Sequence, residues 1–119
     1  MSVEIKQIED VYILRLEETF DMYSAPAVKE SLVKFMVKLD EGPKVKGVLF
    51  DFANVVYVDS SAIGVISFFY NQCMKRSLNC MFSSLQSHVK KVFALTGLRF
   101  PICDSVEDGV RKICGARSA

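Results

Sequence analysis

The sequence predicts an α/β domain: a mixed, mostly parallel sheet of four to five strands with about four helices, in one unit spanning residues 1–119. Three observations predict it. Apolar residues alternate with a period of two over the first sixteen positions. Further along, four stretches carry apolar residues at helical spacing. Between these stretches lie short apolar runs of the kind that strands show when both faces are covered. A chain of 119 residues is one domain's worth, long enough for a real core and too short for two.

Each element has its own signal. VEIKQI, with Val3 and Ile5 on one face, meets VYILRL across a Glu9-Asp10 break and reads as a β-hairpin. EETFDMYSAP is polar and irregular and reads as a loop. Ser24 then stands as an N-cap before Ala25 and Pro26. Ala25, Val28, Leu32, Phe35, Met36 and Leu39 follow as one helical face, ended by Asp40-Glu41-Gly42-Pro43. KGVLFDF (Lys46 to Phe52) predicts a central strand. Ala62, Val65, Ile66, Phe69 and Cys73, with Ile63, Tyr70 and Met74, fill two stripes of a second helix, with Lys75 and Arg76 in its last turn. NCMFSSL is the next strand. Ser87 caps a helix through Val89, Val92, Phe93 and Leu95, and Gly97 suits its C′ position. Phe100 to Cys103 forms an edge strand. Ser105 and Asp108 resemble a capping box for a last helix with Val106, Val110 and Ile113 on one face, interrupted by Gly109.

Composition excludes several functions. The net charge of +1 comes without a block of like charges, which argues against a nucleic-acid groove or a membrane-surface helix. No run is long and apolar enough for membrane insertion. The opening MSVEIKQIED lacks a signal-peptide core, so a cytoplasmic location is expected. Cys73, Cys80, Cys103 and Cys114 form no C-x-x-C pair, and His88 is the sole histidine. No metal site is expected, and the thiols read as small hydrophobes. The glycines match no phosphate-binding loop, and no base accompanies a serine nucleophile. Neither an enzyme nor a cofactor is expected.

One stretch asks for more than packing. In VVYVDSSAIGVI an apolar run stops at Asp59-Ser60-Ser61 and resumes with a helical period. Asp59 or Ser60 can cap the helix, but one cap needs one residue. A serine at a helix start beyond a buried strand projects from the end of the sheet. A phosphate there adds about −1.5 to −2 charges without disturbing the fold.

VDSSAIGVI resembles the D-S-[ST]-[GA]-[LI]-G-[VL] signature of STAS domains, specifically the bacterial anti-sigma factor antagonists. LEETFDMYSAPAVKESL, KGVLFDFANVVYVDSS and VKKVFALTGLRFPI resemble further family segments in order, so that the whole chain is covered. The resemblance implies partner switching. The unphosphorylated protein binds an anti-sigma factor that is also a serine kinase, and a sigma factor is freed. The kinase phosphorylates the serine after the motif's aspartate, which matches Ser60, with Ser61 the alternative acceptor. A metal-dependent serine phosphatase of the PP2C type reverses the mark. Asp21, Asp59, Ser61 and Ala62 fall in the implied partner-binding region. Met22 and Tyr23 beside Asp21 either pack under the first helix or add to that surface. Ala62 and Glu18 stand where the family usually has glycine, which touches partner identity. Alternatives are a STAS accessory subunit of a membrane transporter, a scaffold subunit of a stress-sensing complex, and a small-molecule sensor.

Overall fold

A long central strand organises the structure, a computed structural model that describes residues 3–115, with Glu18 described through its backbone alone. In chain order the elements are β1 (Glu4–Ile8), β2 (Val11–Phe20), α1 (Ala25–Glu41), β3 (Gly47–Val58), α2 (Ser60–Lys75), β4 (Asn79–Ser83), α3 (Ser87–Leu95), β5 (Ile102–Cys103) and α4 (Val106–Gly115). The five strands lie side by side in chain order. β1 is antiparallel to β2, and the remaining pairs are parallel.

Crossovers of one hand that keep stepping in one direction return their helices to the same face of the sheet. Accordingly α1, α2 and α3 share one core with the sheet, built around Leu32, Phe35, Phe69 and Phe93 against Phe50, Phe52 and Phe82. α4 follows the last strand and covers the opposite face, placing Val110 and Ile113 on Val11, Ile13 and Leu49. β3 therefore serves two cores: Val48, Phe50 and Phe52 enter the larger one and Leu49 the smaller. This is why its first half reads as a continuous apolar run. Asp51 is buried on the α4 side. Its carboxylate accepts from Arg15 Nε at 3.1 Å and from the Ala53 N–H at 3.0 Å, so the charge is both paired and hydrogen-bonded.

The hairpin turns at Glu9, whose φ of 52° is the left-handed conformation a tight turn uses. Beyond the predicted strands, two corrections extend the sheet. β2 runs on through Glu17, Glu18 and Thr19 to Phe20, where the sequence reads as a loop. β3 runs past Phe52 to Val58. These tails pair with one another, with two register shifts, beyond the reach of α4. A strand without cover on one face can be polar there, so the hydropathy pattern fades while the backbone ladder continues. β5 is two residues long, shorter than the Phe100–Cys103 expectation. α3 is preceded by Gln86 rather than capped by Ser87, and the Gln86 side chain donates to the Ala53 carbonyl at 2.8 Å.

The two glycines inside helices, Gly64 and Gly109, have opposite explanations; Gly115 is the last residue of α4. A Cβ at Gly109 would lie 2.7 Å from Leu49 Cδ1 and 2.8 Å from Cys103 Sγ, so only glycine lets α4 approach the sheet. A Cβ at Gly64 in α2 would meet nothing within 4 Å. Gly109→Ala should therefore destabilise the protein by about 1–3 kcal/mol through overpacking, despite alanine's better helix propensity. Gly64→Ala should stabilise it by roughly 0.5–1 kcal/mol. Urea titrations of both variants check the pair, with opposite shifts in midpoint at a common slope.

All four cysteines are free thiols, with Cys73, Cys80 and Cys103 buried and Cys114 half-buried. Burial, reinforced by a hydrogen bond with Cys73, pushes the Cys80 thiol well above its ordinary range. Burial is also the main cause that raises Cys103. The thiolate is the reactive form, so iodoacetamide at about pH 8 should modify native protein at Cys114 and spare the other three. Peptide mapping of the alkylated protein reads this directly; fast labelling of Cys80 in the native state would contradict the packing.

Candidate functional site

The tails of β2 and β3 end together, Phe20 opposite Val58, and deliver two loops to the same end of the sheet. Asp59 follows Val58 in extended conformation (φ −125°) and caps α2, its Oδ1 accepting from the Ala62 N–H at 3.1 Å. Its other oxygen, Oδ2, accepts from the Met22 N–H at 2.9 Å. One carboxylate thus closes the first turn of α2 and ties that turn to the β2–α1 loop.

The second loop is built on Asp21. Its Oδ1 accepts from the Tyr23 N–H at 2.9 Å and the Ser24 N–H at 3.1 Å, a turn that aspartate side chains favour. Its carbonyl accepts from the Ala25 N–H at 2.7 Å and so closes the start of α1. Ser24 differs from the sequence expectation here. It stands at the N-cap position, yet its hydroxyl makes no cap bond to the helix. It donates to the Thr19 carbonyl at 3.0 Å and accepts from the Asp21 N–H at 3.0 Å, bracing the loop instead.

With both loops braced through backbone groups, Met22 and Tyr23 are left 60% and 84% exposed. Of the two readings open in the sequence, packing under α1 is therefore excluded. Ser60 is exposed and Ser61 half-buried at the start of α2; the cap runs through Asp59 and leaves both hydroxyls out of it. Ala62 departs from expectation. It is 0% exposed, its methyl lies in the larger core, and only its N–H meets Asp59, so it offers no side-chain surface to a partner. That burial also keeps its methyl out of any approach to Ser60. The Glu18 side chain lies outside the described residues.

Sequence reasoning passed over Val56, Tyr57 and His88. Val56 and Tyr57 are exposed on the tail of β3, and the Tyr57 ring stacks on His88 at 5.3 Å and 11°. The signal was present in NVVYV, four apolar residues in a row where one sheet face alone is covered. This end of the sheet thus exposes Met22 and Tyr23 on one loop and Val56 and Tyr57 on the tail of β3, with Ser60 exposed at the start of α2. Exposed apolar residues grouped around polar ones are typical of a protein-docking surface.

Asp59→Ala should cost about 1 kcal/mol for the cap, with a further cost for the freed Met22 amide. Amide hydrogen exchange should accelerate at both Met22 and Ala62. Asp59→Ser should restore protection at Ala62 alone, because one hydroxyl oxygen cannot reach both donors; protection retained at Met22 would contradict the cross-link.

Comparison with known proteins identifies the family. Residues 2–109 match the family model for the STAS domain. An anti-sigma-B factor antagonist of Listeria monocytogenes is 30% identical over 99 residues, 82% of each chain. That of Bacillus subtilis is 27% identical over 99 residues, 83% of this chain and 85% of its own. Among solved structures, an anti-sigma factor antagonist from Mycobacterium paratuberculosis superimposes with a TM-score of 0.82 over 95% of this chain and 93% of its own, at 16% identity.

Proposed function

The chain belongs to the STAS domain family, and we propose that within it the protein is an anti-sigma factor antagonist switched by phosphorylation of Ser60. The observation that supports this most is the exposed Ser60 hydroxyl, left out of its own helix cap and standing at the sheet end that also presents Met22 and Tyr23. The antagonist names of the relatives point the same way.

In this reading the unmodified face docks an anti-sigma factor that is also a serine kinase, and a sigma factor is released. Met22 and Tyr23 contribute buried apolar area at about 25 cal/mol per Å². Asp21 and Asp59 hold the loops in place, and Ser61 lies beside the acceptor. The phosphoryl-transfer chemistry belongs to the kinase, which brings ATP and Mg²⁺; this chain contributes the nucleophilic hydroxyl. A phosphate desolvated against the partner without a matching cation costs several kcal/mol. About 1.4 kcal/mol is already tenfold in affinity, so one modification suffices to release the complex. A serine phosphatase of the PP2C type returns the chain to its binding form.

The test is intact-mass spectrometry after incubation with ATP, Mg²⁺ and the anti-sigma-type kinases of the same genome. Wild type and Ser61→Ala should gain one phosphate and Ser60→Ala none. Phosphate kept in Ser60→Ala and lost in Ser61→Ala would move the acceptor by one residue. No phosphate on any form, beside a working control substrate, would overturn the switch. In the same system Tyr23→Ala should weaken kinase binding by about tenfold or more, as an exposed aromatic anchor does.

A further inference from the structure

A second surface, away from Ser60, carries its own pattern. Leu95, at the end of α3, is 87% exposed, and Leu98 and Ile102 are exposed as well. Between the last turns of α3 and the 98–102 segment lies a groove of about 250 Å³. Its apolar lining includes Phe93, Leu98, Phe100 and Ile102, and its charged lining is Lys90 and Arg99, with no acidic residue.

The groove is rigid. Phe93 and Phe100 meet edge to face at 5.6 Å and both contact Phe82, so its floor is part of the main aromatic core. Gly97 turns the chain at a φ of +72°. Thr96 Oγ1 donates to the Phe93 carbonyl at 2.7 Å and accepts from the Leu98 N–H at 3.1 Å, which fixes Leu98 at the rim. β5 is the edge strand of the sheet, so Ile102 stands where no further strand pairs.

The cations are equally unspent. The salt bridges among the described residues involve Arg15, Lys34, Arg76 and Lys112, and none involves Lys90, Lys91 or Arg99. In a chain of net charge +1, two cations lining an apolar cleft, without an acidic residue among its lining, form a local imbalance. A cleft this small holds one or two side chains rather than a cofactor. Its concavity favours an anchoring side chain over a flat lipid surface, and its cations favour acidic flanks.

We propose that this groove docks an acidic amphipathic helix of a partner protein, a large apolar residue entering between Phe93, Leu98 and Ile102 while carboxylates meet Lys90 and Arg99. The site is separate from the Ser60 face. His88, at the opposite end of α3, stacks on Tyr57, and Leu95 lies ~10 Å further along the helix. The groove is lined by residues of α3 and the 98–102 segment and by none of the Ser60 face, so the inference does not depend on the switch.

The test is an amide NMR titration of the full chain with two helical peptides of about four turns, identical in their leucine face and differing only in glutamate or lysine flanks. The acidic peptide should give saturable shifts confined to residues 90–102. Leu98→Asp, and separately Lys90→Glu with Arg99→Glu, should weaken it by about tenfold or more; all three positions are exposed, so the fold is kept. Equal binding of the lysine peptide, shifts centred on Met22 and Tyr23, or no saturable shift would overturn the proposal. So would preferential binding to anionic over zwitterionic vesicles, or a concentration-dependent dimer abolished by Leu98→Asp, which would assign the groove to a membrane or to a second copy.

Discussion

The Asp59 carboxylate binds two amides from different parts of the chain, and the functional end of the molecule depends on that division. Oδ1 closes the first turn of α2 and Oδ2 holds the Met22 amide. Hydrogen bonds to a charged acceptor contribute about 1.5–3 kcal/mol each, roughly twice a neutral pair. Without the second bond, the four residues between β2 and α1 would rest on Asp21 and Ser24 alone, and nothing would fix Met22 and Tyr23 relative to Ser60. Exposed apolar side chains are useful to a partner only where their positions are already set, because ordering them on contact costs about 0.5–1.5 kcal/mol apiece.

That bond is available because β2 and β3 reach the same level. The tail of β3 extends past the point where β4 stops pairing, at Asp51 opposite Ser83, and its partner along that stretch is the tail of β2. The lower half of the sheet is buried on both sides and supplies rigidity through the Phe50, Phe52 and Phe82 cluster. The upper half gives up cover on the α4 side, exposes Val56 and Tyr57, and lifts Asp59 clear of the core. One strand thus serves as core and then as scaffold, with Asp51, buried and paired to Arg15, near the boundary.

Where burial was two-sided or periodic, the fold could be read in the sequence. The stripes of α1, α2 and α4, the opening hairpin and the first half of β3 stand as their spacing requires, except that Met74 of the α2 stripe and Ile5 of the hairpin are exposed. Legibility ended where backbone pairing rather than side-chain burial decided the outcome. Glu17 and Thr19 carry no apolar signal, yet their backbones complete a ladder. Ser24 has the chemistry of a cap, but Pro26 removes one of the two amides a cap can reach, and the serine hydroxyl braces the loop instead. Gly109 weakens a helix locally and is required by Leu49 and Cys103, two contacts distant in sequence. At the site, a hydrogen bond joins Met22 to Asp59, and the exposure of Met22 and Tyr23 decides a question that the sequence left open. Ala62 turned inward because the residue whose N–H donates the cap's bond to Asp59 sits on the helix face toward the core. Tyr57 and His88 met through a contact that no local pattern encodes.

Placing a phosphoryl group on Ser60 would test how far the fold and the surface are independent. Asp59 already occupies the helix N-terminus, so a phosphate there would stand against an existing anion rather than fill an empty cap. Like charges on neighbouring residues repel by about 1 kcal/mol in water and by about four times as much at an effective dielectric near 20. The folded chain can absorb this while the site faces solvent, since its core rests on β3 and the aromatic cluster rather than on the cap. A complex cannot, because docking removes the water that screens the charges and moves the same pair toward the costly end of that range. The modification would therefore cost less in the free protein than in the bound one. What keeps those two effects together in one place is the cap: Ser60 is the first residue of α2, so a phosphate on it would stay beside the Met22–Tyr23 loop that the same Asp59 carboxylate holds.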